Sequence, residues 1–455
     1  MALAEDAGGP GAPPAGGAGA GLIDAVRLGR WVNPRTGRPG PASPVRALTI
    51  AESLAGREAG LVEELDVEGP LALVADPDTW EAMGRRVARA LGAAGRAPRE
   101  VVLEPRPHAD LASAAALAER LRGVAHVVAV GSGAINDLCK QVTAQDGRSC
   151  SVFGTAASMD GYVSSTASMG LPSGLKVSLP AHAPIGVFLD LEVLAAAPPR
   201  MAAAGYGDCL CGSVARIDWW MSHRLLGTPF FEEPYLIAEA AGAELDARAE
   251  GVGRGEIEAI GHLVRALTLS GLGVGFTGTS HHGSMGEHQI SHYVDCFAGA
   301  RHPGTLHGQQ VGVASLAMAR IQARLLSLEA PPELKPTRID PEDMARRMGP
   351  EIAAQCLAEY RKKALDAEGA ARLNARLREI WPALRRECQS WAVPVETMRE
   401  RLAAAGGPTT GEALGLPAPF WREAVRHGHE MRDRFSFADL ACDAGLLDEL
   451  AAEEE

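Results

Sequence analysis

The first half of the chain alternates short apolar runs with segments of helical length, and this alternation constrains the fold more than any other feature. Two of the intervening segments, residues 79–95 and 111–121, carry apolar residues at helical spacing. Strands separated by such segments form a parallel sheet with helices on both faces. The predicted strands are residues 70–75, 100–103, 126–130 and 151–153.

From about residue 195 onward the pattern changes to long stretches rich in Ala, Leu, Arg and Glu. Apolar residues recur there at three- and four-residue spacing, which predicts amphipathic helices. We therefore predict an α/β domain at residues 22–194, an all-α domain at 195–455, and a functional site in the cleft between them. The predicted helical stretches are residues 198–224, 232–250, 254–273, 284–300, 308–329, 340–364, 368–388 and 417–432.

Composition and charge restrict the class of protein. Residues 1–21 are mostly Ala, Gly and Pro, so we expect a disordered tail there. Apolar residues make up 46% of the chain and the net charge is −13, which disfavours nucleic acid and anionic membranes as partners. No apolar run reaches the roughly 18 residues of a membrane span. The start of the chain has no secretory signal pattern, and the eight cysteines contain no CxxC pair. We expect a cytoplasmic protein with reduced thiols that acts on a small molecule.

A Gly-rich segment, GSGAINDLCK, follows the third predicted strand and begins a predicted helix. Glycines allow close backbone approach, and free N–H groups at a helix start can hold a pyrophosphate. The alternative is an ordinary turn between strand and helix. The segment matches neither the GxGxxG nor the Walker pattern. The candidate cofactor-binding residues here are Gly131, Gly133, Ala134, Ile135, Asn136 and Asp137.

Polar residues also follow two other strands. Thr155, Ser158 and Ser164 offer hydroxyl groups to a phosphate or ribose, unless the cluster only caps a helix. Asp160 in the same stretch is better suited to accept hydrogen bonds from a substrate hydroxyl. Asp76 ends the first strand, where a carboxylate binds adenine-ribose hydroxyls and repels a 2′-phosphate, which favours NAD over NADP. Asp76 could equally form the turn before the following proline.

Histidines at helical spacing indicate a metal site. His288 and His292 lie at i and i+4 on one helix face, and His307 follows in LHGQQ. With Asp208 as an oxygen ligand, His288 and His307 would leave one position open for water or substrate, which is typical of a catalytic divalent metal. The motif is not HExxH, because Glu287 precedes the first histidine. The alternative is that these histidines are ordinary loop or surface residues.

Taken in order, GSGAINDLCK, TAASMDGYVSS, AAGYGDCL, GEHQISH, LHGQQVGV and MRDRFSFADLA resemble the glycerol-1-phosphate dehydrogenase family over roughly residues 45–445. The resemblance implies a dehydroquinate-synthase-like fold, in which an α/β nucleotide-binding domain precedes a helical one, and a dimer or larger homo-oligomer. It also implies NAD(P) and a divalent metal, usually zinc and sometimes nickel or iron. Residues 133–137 would bind the pyrophosphate, and Thr155, Ser158 and Ser164 the nicotinamide side. Asp208, His288 and His307 match the metal ligands, and Asp160 and His292 match catalytic positions that contact substrate.

Two departures from the family bear on the substrate. A family stretch resembling Ser-Arg-Pro is replaced by residues 279–285, and Gly212 stands where a lysine is usual four residues after Asp208. His281 and His282 could replace the missing charge only if protonated, and a free histidine titrates near ~6.5. The dehydrogenase assignment is therefore better supported than a phosphate-bearing substrate.

The sequence hypothesis is hydride transfer between NAD(P)H and a small hydroxyketone, with dihydroxyacetone phosphate, reduced to sn-glycerol 1-phosphate, as the first candidate. His292 would relay a proton or hold a substrate hydroxyl. One alternative is a dehydroquinate-synthase-like lyase or cyclase that uses NAD transiently. Others are a dehydrogenase for an unphosphorylated or phosphonate polyol, and a non-catalytic homologue.

Overall fold

The computed structural model describes residues 17–455. Six parallel strands form one sheet in the order β1-β8-β5-β4-β2-β3, and an antiparallel hairpin, β6-β7, stands apart from it. The strands are β1 (Ala47–Ala51), β2 (Leu71–Ala75), β3 (Arg99–Val102), β4 (His126–Gly131), β5 (Ser149–Gly154), β6 (Thr166–Gly170), β7 (Lys176–Pro180) and β8 (Gly186–Asp190).

Helices surround this sheet and make up nearly all of the second half. A π-helical turn at Trp80–Gly84 joins α3 to α4, so the helix predicted at 79–95 is made of three pieces. In the first half lie α1 (Gly17–Arg27), α2 (Glu58–Glu63), α3 (Pro77–Thr79), α4 (Arg85–Ala93), α5 (Leu111–Arg120), α6 (Gly133–Asp146) and α7 (Leu191–Ala196). In the second half lie α8 (Pro199–Leu210), α9 (Gly212–Leu226), α10 (Glu233–Asp246), α11 (Ala249–Gly253), α12 (Ile257–Thr277), α13 (Gly286–Phe297), α14 (His307–Leu326), α15 (Pro341–Met348), α16 (Pro350–Lys363), α17 (Ala367–Trp391), α18 (Val395–Ala404), α19 (Ala418–His427), α20 (Phe437–Asp443) and α21 (Leu447–Ala452).

This architecture confirms the predicted α/β region followed by a helical region. The four predicted strands correspond to β2, β3, β4 and β5. The strands that pattern alone did not reveal are β1, β8 and the hairpin. β8 is a five-residue run that is buried throughout, and periodicity does not separate so short a buried strand from the start of a helix.

The amino-terminal segment differs in part from its prediction. Residues 1–16 of the predicted tail lie outside the described residues, but residues 17–21 form the start of α1 and are not irregular. Ile23 and Val26 in that helix are each only 2% exposed. Their burial stabilises the whole of α1, including its beginning at residues 17–21. The following loop packs on the helical region, where Asn33 donates a hydrogen bond to Glu233 at 2.9 Å. The domain division at residues 194 and 195 stays a prediction.

Helix α12 is long and apolar enough to cross a membrane by length and composition alone, and 72% of its most apolar window is buried inside the protein. It packs against α8 and α10, and its buried residues belong to the main hydrophobic core. The burial identifies it as a core helix.

Glycines let α8 and α12 approach the loop that follows β5. A Cβ atom at Gly205 would lie 2.0 Å from the carbonyl oxygen of Ala157, and one at Gly271 would lie 2.3 Å from that of Asp160. Any side chain larger than hydrogen would therefore push these helices away from the loop. The close contact places the carboxyl end of β5 directly beside the helical region.

Candidate active site and metal centre

The start of α6 lies directly after β4, at the carboxyl end of the sheet. Ser132 occupies the N-cap position without a side-chain cap, so the first-turn amides of Gly133, Ala134 and Ile135 have no intrahelical partner. A Cβ atom at Gly133 would meet only the Met159 side chain, at 3.9 Å, whereas one at Gly131 would overlap Ile135. Open space and free amides at a helix start fit a pyrophosphate.

The next turn of α6 serves a different purpose. Asn136 donates a hydrogen bond to the Gly161 carbonyl at 3.1 Å, and Asp137 accepts one from the Ser168 amide at 3.1 Å. Lys140, fully buried, lies 3.1 Å from Asp137 and also donates to the Gly161 carbonyl. The side chains of Asn136 and Asp137 thus hold the segment leading into the β6-β7 hairpin, and the backbone ahead of them is what faces the cleft.

The loop after β5 brings together the hydroxyl residues predicted for the cofactor. Thr155 is buried and Ser158 half-buried, and neither hydroxyl bonds a described protein group. Ser164 is already engaged, since its hydroxyl accepts from Lys140 at 3.2 Å. The Tyr162 hydroxyl lies 2.9 Å from the Ala156 carbonyl and 3.1 Å from that of Gly131, so it links this loop to β4.

Asp76 directly follows β2 and lies near the Gly-rich segment, because β2 pairs with β4 in the sheet. One of its carboxylate oxygens accepts from the Thr79 amide at 2.8 Å, and the Thr79 hydroxyl binds the Asp76 amide in return. Asp76 therefore caps α3, as the turn-forming alternative predicted. Its position at the carboxyl edge of the sheet also matches the ribose-binding hypothesis.

The three predicted metal ligands converge from three helices. Asp208 comes from α8, His288 from α13 and His307 from α14, and one potential ligand atom from each lies within 4.8 Å of the others. Nε2 of His288 is 3.9 Å from an Asp208 oxygen, and the two imidazole centroids are 5.0 Å apart. A carboxylate and two imidazoles at this spacing suit a divalent metal that keeps an open position.

The Nδ1 atoms of both imidazoles have partners. Nδ1 of His288 lies 2.9 Å from Glu287, and Nδ1 of His307 lies 3.0 Å from the Ser291 hydroxyl. Ser291 donates its own hydrogen to Gln310 at 2.9 Å, so it accepts from His307. Both Nδ1 atoms therefore carry the proton, and both Nε2 lone pairs are free for a metal.

Electrostatics at the triad also suit a bound cation. Burial, and then repulsion from Asp160, raises the pKa of Asp208 well above its usual range. Burial and the nearby Arg432 lower the pKa of His288 to about 3, and burial lowers that of His307. The lowered pKa values keep both imidazoles neutral, as metal ligation requires. The raised pKa of Asp208 shows that its carboxyl group lacks a positive partner, and a bound metal ion would supply one.

A second group, Cys211 with Glu287 and His288, also has the spacing of a metal site. Its thiol lies 2.9 Å from the Asp208 carbonyl, and burial raises the pKa of Cys211 well above its usual range. Because this thiol already donates to a protein carbonyl, Cys211 is the weaker candidate ligand. Glu287 accepts a hydrogen bond from His288. Cys211 and Glu287 therefore support the ligands of the first group.

His292 and Asp160 lie beside the triad. The His292 ring centroid is 5.7 Å from that of His307, and its Nδ1 accepts from the Arg432 guanidinium at 2.8 Å. Asp160 donates its amide to Asp208 at 3.2 Å and accepts from the Ser270 hydroxyl at 2.8 Å. The metal ligands, these two groups and the start of α6 meet around the loop after β5.

Comparison with known proteins agrees with this arrangement. A model of the iron-containing alcohol dehydrogenase family matches residues 49–198. The glycerol-1-phosphate dehydrogenase [NAD(P)+] of Bacillus velezensis is 30% identical over 374 residues, which are 80% of this chain and 83% of that protein. The enzyme of the same name from Methanothermobacter thermautotrophicus is 30% identical over 62% of this chain and 82% of its own length.

The chain belongs to the glycerol-1-phosphate dehydrogenase family. It is therefore an oxidoreductase of the iron-containing alcohol dehydrogenase superfamily.

Solved structures share the fold at lower identity. Glycerol dehydrogenase from Schizosaccharomyces pombe superposes with a TM-score of 0.59 at 19% identity, over 89% of each chain. Sulfoacetaldehyde reductase from Bifidobacterium kashiwanohense, solved with NAD+, gives 0.56 at 16% identity, over 91% of this chain and 98% of that one. Both support the fold alone.

The departures of this chain from the glycerol-1-phosphate dehydrogenase pattern have structural consequences. Burial and Arg434 lower the pKa of His281 to about 3, and burial lowers that of His282. Neither histidine supplies positive charge at neutral pH, so the compensation considered from the sequence does not occur. A Cβ atom at Gly212 would meet nothing within 4 Å, which leaves the usual lysine position open.

Cations reach the site from elsewhere, and sequence analysis had not assigned them. Arg432 and Arg434 come from the segment between the turn Gly428–Met431 and α20, more than a hundred residues after the last metal ligand. Lys176 comes from β7 and pairs with Asp295 at 2.8 Å. The only signal for the two arginines was the family-like ending MRDRFSFADLA, which does not indicate what they bind.

The sequence also gave no role to Glu287, Ser291 and Gln310, although each lies next to a predicted ligand or one helical turn from it.

Proposed function

We propose that this protein is a metal-dependent glycerol-1-phosphate dehydrogenase that uses NAD(P)H to reduce dihydroxyacetone phosphate to sn-glycerol 1-phosphate. The observation that carries the proposal is the convergence of Asp208, His288 and His307 beside the loop after β5, together with family membership. Because the named relatives match over 82–83% of their own length, the comparison spans both regions of the fold.

The residues present fit both groups that this chemistry requires. Asp208, His288 and His307 would hold the divalent metal, for which we propose zinc, with nickel or iron as alternatives. The first-turn amides of α6 would hold the cofactor pyrophosphate. When bound, the metal supplies Lewis acidity toward a carbonyl oxygen and the nicotinamide supplies hydride.

His292 is suited to hold a substrate oxygen. A guanidinium only donates hydrogen bonds, so the bond from Arg432 requires that Nδ1 of His292 accept. The neutral ring then carries its proton on Nε2, where it can donate a hydrogen bond to a substrate oxygen. Of the two roles considered from the sequence, orientation of the substrate follows directly from this hydrogen bond.

Asp160 and the hydroxyl residues complete the proposed site. Asp160 is fixed through its amide and through Ser270, and its carboxylate would accept a hydrogen bond from a substrate hydroxyl. Thr155 and Ser158 would contact the nicotinamide side of the cofactor, and Ser164 would support that loop. Asp76 would bind the adenine ribose, which favours NAD over NADP.

A different polyol dehydrogenase is the second candidate. The altered segment 279–285 contributes two neutral histidines, and Gly212 contributes no charge. The missing positive charge favours an unphosphorylated substrate over a phosphate. A phosphonate polyol, which would need the same cations as a phosphate, is a further alternative. A lyase or cyclase that uses NAD without net turnover is the remaining alternative, and membership of the dehydrogenase family disfavours it.

Family membership also predicts a dimer or larger homo-oligomer, and we propose a cytoplasmic location from the sequence pattern. Light scattering of the purified protein coupled to gel filtration measures that assembly directly.

The test is oxidation of NADH by zinc-loaded protein with dihydroxyacetone phosphate. We expect turnover that falls at least about 100-fold in His288→Ala, because a metal ligand is lost, and is retained in the surface variant His108→Ala. Product stereochemistry identifies sn-glycerol 1-phosphate. Absence of turnover in protein that binds zinc and NADH would contradict the assignment and favour the second candidate.

A further inference from the structure

Two arginines near the proposed metal site have no acidic partner. Across residues 17–455, the ion pairs within 4.0 Å include neither Arg432 nor Arg434. Both side chains are half-buried, and a buried cation without a counter-ion is costly unless an anion is supplied by a ligand. By contrast, Arg347 and Lys363, which lie in the same region, pair with Glu430 and Asp439.

Arg432 has unused hydrogen-bonding capacity. Within the described part of the chain, its guanidinium makes a single hydrogen bond, the one to Nδ1 of His292 at 2.8 Å. A guanidinium carries five N–H donors in a planar fork that matches the oxygens of phosphate. The His292 ring lies 5.7 Å from that of His307 and 6.3 Å from that of His288, so Arg432 stands directly behind the residue proposed to hold substrate.

Arg434 adds a second positive charge on the same side. It donates to the Ser284 carbonyl and to the Ser280 hydroxyl at 3.0 Å, and so fixes the segment 280–284 ahead of α13. Lys176 is also nearby, but its pairing with Asp295 cancels its charge locally. The net positive charge available to a ligand therefore comes from the two arginines.

A buried ionic cluster holds these arginines in place. Lys363 donates to the carbonyls of His429 and Arg434 at 2.7 and 2.8 Å, and pairs with Asp439 at 2.7 Å. Asp439 in turn accepts from the Ser436 amide at 2.7 Å. Backbone on both sides of Arg432 is thus fixed, which pre-organises its guanidinium for a ligand.

We propose that Arg432, assisted by Arg434, binds the phosphate group of a phosphomonoester substrate. This inference rests on the proposed function for the identity of that substrate, and it assigns the specificity for phosphorylated over unphosphorylated hydroxyketones to Arg432. His292, which accepts from Arg432, would then link the phosphate-binding cation to the reacting end of the molecule.

The test compares Arg432→Gln and Arg432→Lys with Arg426→Gln, a control in which an exposed arginine of α19 is changed. For zinc-loaded enzyme we expect kcat/KM in Arg432→Gln to fall about 100-fold further for dihydroxyacetone phosphate than for dihydroxyacetone, because only the first substrate loses a phosphate contact. Arg432→Lys should recover part of the loss, because it keeps the charge but not the planar fork. An equal loss on both substrates would show that Arg432 acts only through His292 and would overturn the proposal.

Binding of inorganic phosphate, measured by titration calorimetry on the zinc-loaded protein, separates this inference from the assigned reaction. We expect phosphate affinity to fall at least about tenfold in Arg432→Gln and to stay unchanged in Arg426→Gln. That result would support the anion site even if dihydroxyacetone phosphate is not turned over. Phosphate affinity unchanged in Arg432→Gln overturns it even if dihydroxyacetone phosphate is the substrate. Should Arg432→Gln fail to fold, Arg432→Lys provides the comparison, with a smaller loss of phosphate affinity expected because the charge is kept.

Discussion

At the scale of single residues, the proposed metal site depends on groups that do not contact the metal. The imidazole of His307 presents Nε2 to the site because Ser291 binds its Nδ1, and Ser291 is oriented by Gln310. Glu287 does the same for His288. Such partners fix the ring orientation and the tautomer of a ligand, and their loss weakens metal binding without removing a ligand.

Ser291→Ala should therefore lower zinc affinity by roughly 10- to 100-fold while the fold is kept. The matched control is Ser315→Ala, which removes a buried hydroxyl of α14 that only bonds the Val311 carbonyl. Zinc content after dialysis against a competing chelator measures the effect. Equal zinc retention by the two variants would contradict the role assigned to Ser291.

Asp76→Asn tests the nucleotide preference. An asparagine keeps the oxygen that caps α3 through the Thr79 amide but removes the charge that would repel a 2′-phosphate. We expect the ratio of kcat/KM for NADPH to that for NADH to rise roughly tenfold. The neighbouring exposed variant Asp78→Asn should leave the ratio unchanged, and a similar rise in both would point to a general charge effect.

At the scale of elements, close contact between α8 and α14 brings two metal ligands together. A Cβ atom at Gly207 would lie 2.2 Å from the Gly308 carbonyl oxygen, and one at Gly308 would lie 2.0 Å from that of Ala204. Gly207 immediately precedes Asp208, and Gly308 immediately follows His307. The separation of the helices therefore sets the separation of the ligands.

Gly207→Ala should lower the free energy of unfolding by roughly 1–3 kcal/mol and weaken zinc binding, because the added methyl group forces the helices apart. Gly212→Ala is the control: a methyl group at this first residue of α9 meets nothing within 4 Å, so we expect the free energy of unfolding to stay level or rise slightly. Urea unfolding of the metal-free proteins measures the free energy of unfolding of the two variants. A neutral Gly207→Ala would show that the helices are not held at contact distance.

At the scale of the whole molecule, the carboxyl-terminal segment returns to the cleft and is held there by buried ionic groups. Asp439 interacts with both Lys363 and His429, and the His429 ring packs against Tyr360. Although burial opposes its charge, hydrogen bonds to Asp439 and Cys442 raise the pKa of His429 to about 10. A protonated histidine therefore helps to fix the segment that carries Arg432 and Arg434.

This predicts a pH dependence of stability. Because the pKa of His429 is higher in the folded than in the unfolded protein, its contribution is fully present below pH 6.5 and is lost as the pH rises toward about 10. The difference in unfolding free energy between the original protein and His429→Gln should shrink across that interval, whereas it should stay level for the exposed His108→Gln. A constant difference for His429→Gln would contradict the charged state of His429.

Local patterns in the sequence determined the fold class and the chemistry-bearing residues. Apolar runs spaced by helical segments predict a parallel sheet, and loops that end its strands meet at one edge whatever the later helices do. Spacing alone placed His288 and His292 on one helix face, and motif order related Asp208 and His307 to the same site. These inferences succeed because they depend on neighbours along the chain or on rules that hold for any parallel sheet.

Only the tertiary structure decided which residues support that site and what charge surrounds it. The side chain of Asn136 binds the loop after β5 and that of Asp137 binds the hairpin. His281 and His282 are neutral because they are buried. Arg432 reaches His292 across 140 positions of the sequence. Burial and long-range contact set these protonation states and partners, and neither quantity is encoded in the spacing of residues along the chain.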